Sequence, residues 1–515
     1  MNFRNPVIPG FHPDPSVCRV GSNYYLVTSS FEYFPGVPIF HSTDLVHWTQ
    51  VGYCLTRDSQ LPLKSAQSSG GIYAPTIRWH DGRFYMVVTN VSGMGHFYVT
   101  SEHAEGPWSE PIVIAGVDGI DPSLFFDDDG TVYFSCTSGT GTIDIETGKL
   151  TSELRHIWTG SGGRYAEAPH LYKIGGIYYL MLAEGGTEPG HMVTIARSKN
   201  PWGPYEACPH NPILTHRDRG GYPIQSTGHA DLIESHDGSW WAVFLATRVS
   251  AKYPNVHHLG RETFLAPVQW DAEGWPVIGN GGMVDLEMPA PTYMVDVESK
   301  PREVVRDDFD SASLALPWNF RRNPNPDDWS LSERPGSLAL RCSPVTLNDI
   351  APPAFVGRRQ EHFNCRFSAS IDFDPVEASD EAGLVAIMNE EHHYEIFVRP
   401  GGSGQRLVAV RRRIGDLIAV VAEEQIEAVA VVLWIEAVAE EYRFGYETLD
   451  GVRKELASGS TRYLSTEVAG GFTGLYLGMY ATSNPTPTLP LPRGESQRQS
   501  STRAYFDWAE YKFDA

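Results

Sequence analysis

Residues 14–30, DPSVCRVGSNYYLVTSS, hold a short apolar strand, a turn at Gly21 and a second strand rich in aromatic and β-branched residues. That is the signature of a β-hairpin. The pattern returns as APTIRWHDGRFYMVVTN from Ala74, DPSLFFDDDGTVYFSCT from Asp121, APHLYKIGGIYYLMLAE from Ala168 and HADLIESHDGSWWAVFLA from His229. Gly82, Gly130, Gly176 and Gly238 mark the turns of these copies. A weaker hairpin follows, as in FHSTDLVHWTQVG from Phe40, YVTSEHAEGPWSEPIVI from Tyr98, TIARSKNPWGPYE from Thr194 and RETFLAPVQWDAEGWPVIG from Arg261. Each unit therefore supplies about four strands, and repeats of roughly 40–50 residues with four strands read as propeller blades. The five copies predict a five-bladed β-propeller over residues 1–290. A two-sheet sandwich would leave the repetition unexplained.

Repetition has a chemical consequence. The innermost strand of each blade lines a common axis, so equivalent positions in different blades face one another. Asp14 and Asp121 open the repeat in two blades, Glu167 stands one residue before the opening of a third, and His229 opens the fifth. Three carboxylates and a histidine, far apart in sequence, are thus expected near one end of the axis. Beyond residue 290 the pattern changes. Residues 291–305 read as a proline-bearing, charged linker, and 306–515 as a β-sandwich with alternating stretches such as FSASIDFDP and YEIFVRP. The chain is thus expected to be all-β. Segment 422–441, EEQIEAVAVVLWIEAVAEEY, has helix-forming composition, but its VVLWI core and the alternating YRFGYE beyond it favour strands. Residues 484–495, NPTPTLPLPRGE, cannot pair as a central strand and are expected to form an exposed insertion.

Bulk properties narrow the partners. A formal net charge of −23 over 515 residues argues against nucleic acid, whose binding requires a basic face. No stretch of eighteen apolar residues suggests a membrane span, and the N-terminal MNFRNPVIPG has no signal-peptide pattern. The six cysteines are scattered, with no CxxC pair, which fits free buried thiols and a cytoplasmic setting.

Three carboxylates around a pocket suit hydrolysis of a glycosidic bond. The inverting route uses one carboxylate to activate water and one carboxylic acid to protonate the leaving oxygen, roughly 6.5–9.5 Å apart. A neighbouring carboxylate keeps the acid protonated by like-charge repulsion. Each residue alone is weak evidence, since Asp before Pro commonly opens a turn. Asp127, Asp128 and Asp129 look like solvated turn residues, with calcium binding as their other reading.

Together, NPVIPGFHPDPSV, SSFEYFPGVPIFHSTDLVHW, GGIYAPTIR, GIDPSLFFDDDG, YAEAPHLYK, AEGGT, STGHADLIE and HLGRETFL resemble glycoside hydrolase family 43 over essentially the whole chain. The most similar group is the β-xylosidases and α-L-arabinofuranosidases that carry a C-terminal jelly-roll, concanavalin-like β-sandwich. The resemblance implies a five-bladed propeller and an inverting exo-hydrolase that releases terminal xylose or α-L-arabinofuranose from xylo-oligosaccharides, arabinoxylan fragments or arabinan. It implies Asp14 as general base, Glu167 as general acid and Asp121 as the carboxylate that raises the acid's pKa and orients it. Glu184, in AEGGT, competes with Glu167 by residue type. The substrate-binding set implied is Phe31 and Tyr73 as walls of the sugar subsite, His229, Arg261, and Phe472 as an aromatic that closes the pocket. No cofactor is implied for the chemistry; His229 is offered as a contact to a central ion or water, and a structural calcium ion is left open. The implied partner is a small oligosaccharide, with self-association left open. Two rival readings are a non-catalytic sugar-binding propeller and a retaining fructan-cleaving enzyme. The latter group opens on a WMNDPN-like motif where this chain has FHPDPS.

Overall fold

Five antiparallel sheets follow one another along residues 16–278 of the computed structural model, which describes residues 1–250, 253–294, 302–438, 440–448, 450–483 and 500–514. The first blade orders Ser16–Val20, Asn23–Val27, Gly36–Ser42 and Thr49–Leu55 from inside to outside, and the second Thr76–His80, Arg83–Asn90, Gly95–Ser101 and Ile112–Val113. The third runs from Ser123–Phe126 through Val132–Cys136 and Gly139–Asp144 to Lys149–Leu150. The fourth begins with Glu167–Ile174, Ile177–Glu184 and Met192–Ser198, on which Glu206–Ala207 and Leu214–Thr215 both pair. The fifth contains Ile224–Glu234, Trp240–Arg248, Glu262–Trp270 and Pro276–Ile278. The innermost strand of each blade touches that of the next, and the fifth touches the first, so the ring is closed. Closure is reinforced where Asn2–Arg4 pairs with Glu287–Pro289 and where the Asn5 side-chain amide bonds both backbone groups of Leu265.

Apolar side chains fill the spaces between blades. Tyr85, Val87, Leu124 and Phe134 join the second blade to the third, and Tyr133, Leu171, Leu180 and Leu182 the third to the fourth. Val17, Leu26, Met181, Val193, Leu232, Phe244 and Phe264 belong to the cluster that unites the fourth, fifth and first. Full burial of each large side chain contributes about 1.5–3 kcal/mol.

By backbone contacts the chain forms two units: 1–62, 70–255 and 261–296 make one, and 63–69, 256–260 and 297–515 the other. The second unit is a sandwich of two antiparallel sheets. One is built around Cys365–Phe373, Ala430–Val438, Glu441–Thr448 and Arg503–Asp514; the other has six strands, including Glu381–Asn389, His392–Pro400, Arg406–Ile414 and Tyr476–Thr482. The helix-like composition of 422–441 yields strands, Leu417–Ile426 and Ala430–Val438. Val431, Leu433, Ile435 and Ala437 alternate into the core, and that burial outweighs local propensity. The insertion expected at 484–495 and part of the expected linker, 295–301, lie outside the described residues. Among the described residues no helix is long and apolar enough to cross a membrane.

Candidate active site

Four of the five repeat openings, all but Ala74, share a backbone conformation that the sequence does not announce. Asp14, Asp121, Ala168 and His229 take φ of 55, 56, 51 and 50°. Non-glycine residues adopt this left-handed region at a cost of about 1–3 kcal/mol, and such residues cluster at functional sites. A left-handed residue interrupts the alternation of the strand it opens, so its side chain is not committed to a face between blades. Two inner strands also slip register at the same level, between Glu167 and His170 and between Gly228 and Asp231. Such bulges re-aim side chains beside active sites.

Asp14 is buried. Its carboxylate accepts from Ser29 Oγ at 2.5 Å and from Arg261 Nη1 at 2.7 Å, and His229 Nδ1 lies 3.8 Å away. Burial alone would raise this carboxyl, but Arg261, His229 and the Ser29 hydroxyl outweigh it and hold it below its ordinary value. Burial and repulsion from Asp14 push Glu167 the other way, up to about 7, against the pull of Arg261. Asp121 is raised well above the usual range by burial and then by Glu167 and Asp14, while the Ala168 N–H bonds its carboxylate. Asp121 and Glu167 thus titrate as a pair that retains a proton near neutrality. The outcome is an ionised carboxylate and a protonated carboxylic acid in one pocket, the division of roles that acid–base hydrolysis requires.

Phe31 and Tyr73 pack with tilted rings at 5.2 Å between centres, and the Arg261 guanidinium carbon lies 5.6 Å from the Phe31 ring centre. Paired backbone bonds between Phe31 and Ile72 tie the two loops together. The charges of Arg261, Asp121 and Asp14 all reach Tyr73, whose hydroxyl burial pushes up. Glu184 is not in this group. It is fully buried and accepts from Ser161 N, Gly163 N and Thr194 Oγ1, so its carboxylate secures the loop ahead of Glu167. Phe472 belongs to the second unit, where its N–H donates to Ser69 Oγ at 2.8 Å and its ring is 42% exposed.

Sequence reasoning missed a polar layer below the pocket. Asp231, fully buried, accepts from Arg78 Nη1 at 2.8 Å, Tyr172 Oη at 2.7 Å, Ser16 Oγ at 2.7 Å and Val17 N at 3.1 Å; Arg78 Nη2 also meets His170 Nδ1 at 2.9 Å. These groups come from the inner strands of four blades, and Ser16 and Asp231 sit two residues beyond Asp14 and His229. His191 was missed as well. Its ring lies where a Cβ on residue 228 would stand, 2.3 Å from its nearest atom, so only glycine fits there. Burial drives His191 down to about 3, and it lowers Asp14.

For a structural calcium ion, side chains alone do not complete a coordination shell among the described residues. Calcium takes roughly six to eight oxygens, whereas His229 offers nitrogen, and the oxygens of neighbouring Asp14 already engage Ser29 and Arg261. In the FFDDDG turn, Asp127 is taken by Lys173 and Tyr178. Among the described residues no group of three or more His, Cys, Asp and Glu side chains is arranged to hold a metal ion.

A five-bladed propeller whose strand openings gather an ionised carboxylate, a protonated one and an arginine defines the enzyme class of glycoside hydrolases. More particularly, the chain belongs to glycosyl hydrolase family 43, whose family model matches residues 3–276. The model of the beta xylosidase C-terminal concanavalin A-like domain matches residues 306–512. A non-reducing end alpha-L-arabinofuranosidase of Bacteroides ovatus is 44% identical over 99% of this chain and 94% of its own length. A xylosidase/arabinosidase of Butyrivibrio fibrisolvens is 39% identical over 93% of this chain and 96% of its own. The solved structure of Bacteroides ovatus xyloglucan PUL GH43B superposes with a TM-score of 0.92 at 43% identity, covering 99% of each chain.

Proposed function

We propose that this hydrolase releases terminal α-L-arabinofuranosyl or β-xylosyl residues from short oligosaccharides by a single displacement with inversion. The observation that carries the reading is the opposed charge state of two carboxyls in one pocket, Asp14 held ionised and Glu167 raised to about 7. Asp14, fixed by Arg261 and Ser29, takes a proton from water as the water attacks the anomeric carbon. Glu167 gives its proton to the departing glycosidic oxygen. Asp121 raises the pKa of Glu167, and the ionised Asp14 next to Arg261 favours positive charge developing on the sugar ring. Phe31 and Tyr73 offer apolar faces to the sugar's C–H groups. Phe472 is proposed as a further substrate contact on its motif alone. The names of the two relatives support both glycons, and the six buried free cysteines support work in a reducing, cytoplasmic compartment.

The test is turnover of nitrophenyl α-L-arabinofuranoside and β-xyloside, with the anomer of the first-formed product read by NMR. Asp14→Asn is expected to lose activity by about 10²–10⁴ on every substrate, and Glu167→Gln by as much only where the leaving group is basic. Sugar binding without turnover would make the protein a lectin; a product of retained configuration would overturn the single displacement.

A further inference from the structure

Tyr165 is a large side chain left outside the packing of its unit. It takes φ of 52° and is 64% exposed. Its seat is nonetheless well built. The Arg164 guanidinium lies 5.2 Å from the ring centre and is itself held by Glu188 Oε2 at 2.6 Å and by the Gly185 carbonyl at 3.1 Å. The ring rests over Gly186, where a Cβ would stand 3.0 Å from it, and the Gly185 N–H donates to the Arg164 carbonyl at 2.7 Å. The same turn reaches the catalytic group. Thr187 Oγ1 accepts from Arg261 Nη1 at 3.4 Å, and that nitrogen also holds Asp14. Tyr165 therefore stands at the rim of the pocket, two residues before Glu167, in a strained left-handed backbone state and with little of the burial that normally offsets such strain.

The geometry points to Tyr165 as the platform for the leaving-group sugar. This inference rests on the glycosidase reading and names the substrate class beyond the scissile bond. Glu167 protonates the oxygen of the departing residue, so that residue lies on the Glu167 side of the bond being cut. An exposed ring fixed there matches the flat C–H face of a pyranose. A furanose, puckered and richer in exposed hydroxyl edges, covers the ring less well. The leaving residue is accordingly a pyranose such as xylose, whichever pentose is released.

The inference is tested by comparing two substrates with the same released sugar, one with xylose as leaving group and one with fluoride, which is too small to reach Tyr165. In Tyr165→Ala the ratio of kcat/KM for disaccharide over fluoride is expected to fall about tenfold, the worth of one aromatic contact. Tyr165→Trp is expected to restore it. A ratio unchanged in Tyr165→Ala overturns the inference, whether both rates stay high or drop together through misfolding. Wild-type enzyme that turns over neither substrate would instead defeat the glycosidase reading, a result distinguishable from an active wild type and an indifferent variant.

Discussion

Glu167 and Asp14 are both buried carboxyls, yet their neighbours push them in opposite directions, and the pH profile follows. On the proposed mechanism, activity requires Asp14 ionised and Glu167 protonated. The acid limb therefore lies below the usual carboxylate range, where Asp14 gains its proton. The alkaline limb falls as pH rises through about 7, where Glu167 loses its own. Asp121→Asn removes a repelling charge from the pair. The alkaline limb of kcat/KM should then move to lower pH by about one unit, equivalent to about 1.4 kcal/mol. A limb that stays in place would show that Asp121 does not tune the acid. The identities of these carboxyls were legible in sequence because each sits at or next to a repeat opening. The signs of their shifts were not, because Arg261 and Ser29 reach Asp14 only after folding.

At the level of strands, the inner hairpins were readable because their turn glycines, Gly21, Gly82, Gly130, Gly176 and Gly238, take φ between 63 and 84°, as the motif requires. Outer strands such as Ile112–Val113 and Lys149–Leu150 are too short to carry an alternating signal. The Arg78–Asp231 layer was hidden for another reason: Arg78 reads as an ordinary strand arginine until four blades meet. Burial would raise Asp231, but Arg78, His170 and the Ser16 hydroxyl outweigh it and hold the carboxyl below its ordinary value. A depressed carboxyl contributes stability that is fully present above its unfolded pKa of about 3.9 and is lost as pH falls toward the folded value. Asp231→Asn leaves Arg78 buried without its counter-charge and should lower unfolding stability by about 3–5 kcal/mol. The double change Asp231→Leu with Arg78→Met should cost less than the sum of the two single changes. Urea denaturation measures both, and strict additivity would show that the two charges are not coupled.

Over the whole molecule, all six cysteines are buried and unpaired. A thiol reagent should therefore modify none in the native enzyme and six after denaturation, and activity should not depend on added reductant. Prompt native labelling would place a thiol at the surface. The closed ring carries a further consequence. Asp14 is bonded to Arg261 across 247 residues of chain, and Asn2–Arg4 pairs with Glu287–Pro289 at the same seam between the first blade and the fifth. A chain cut before the fifth blade would lack Arg261 and so the cation that holds Asp14 below its ordinary value, and on the proposed mechanism it is expected to be inactive toward glycosides.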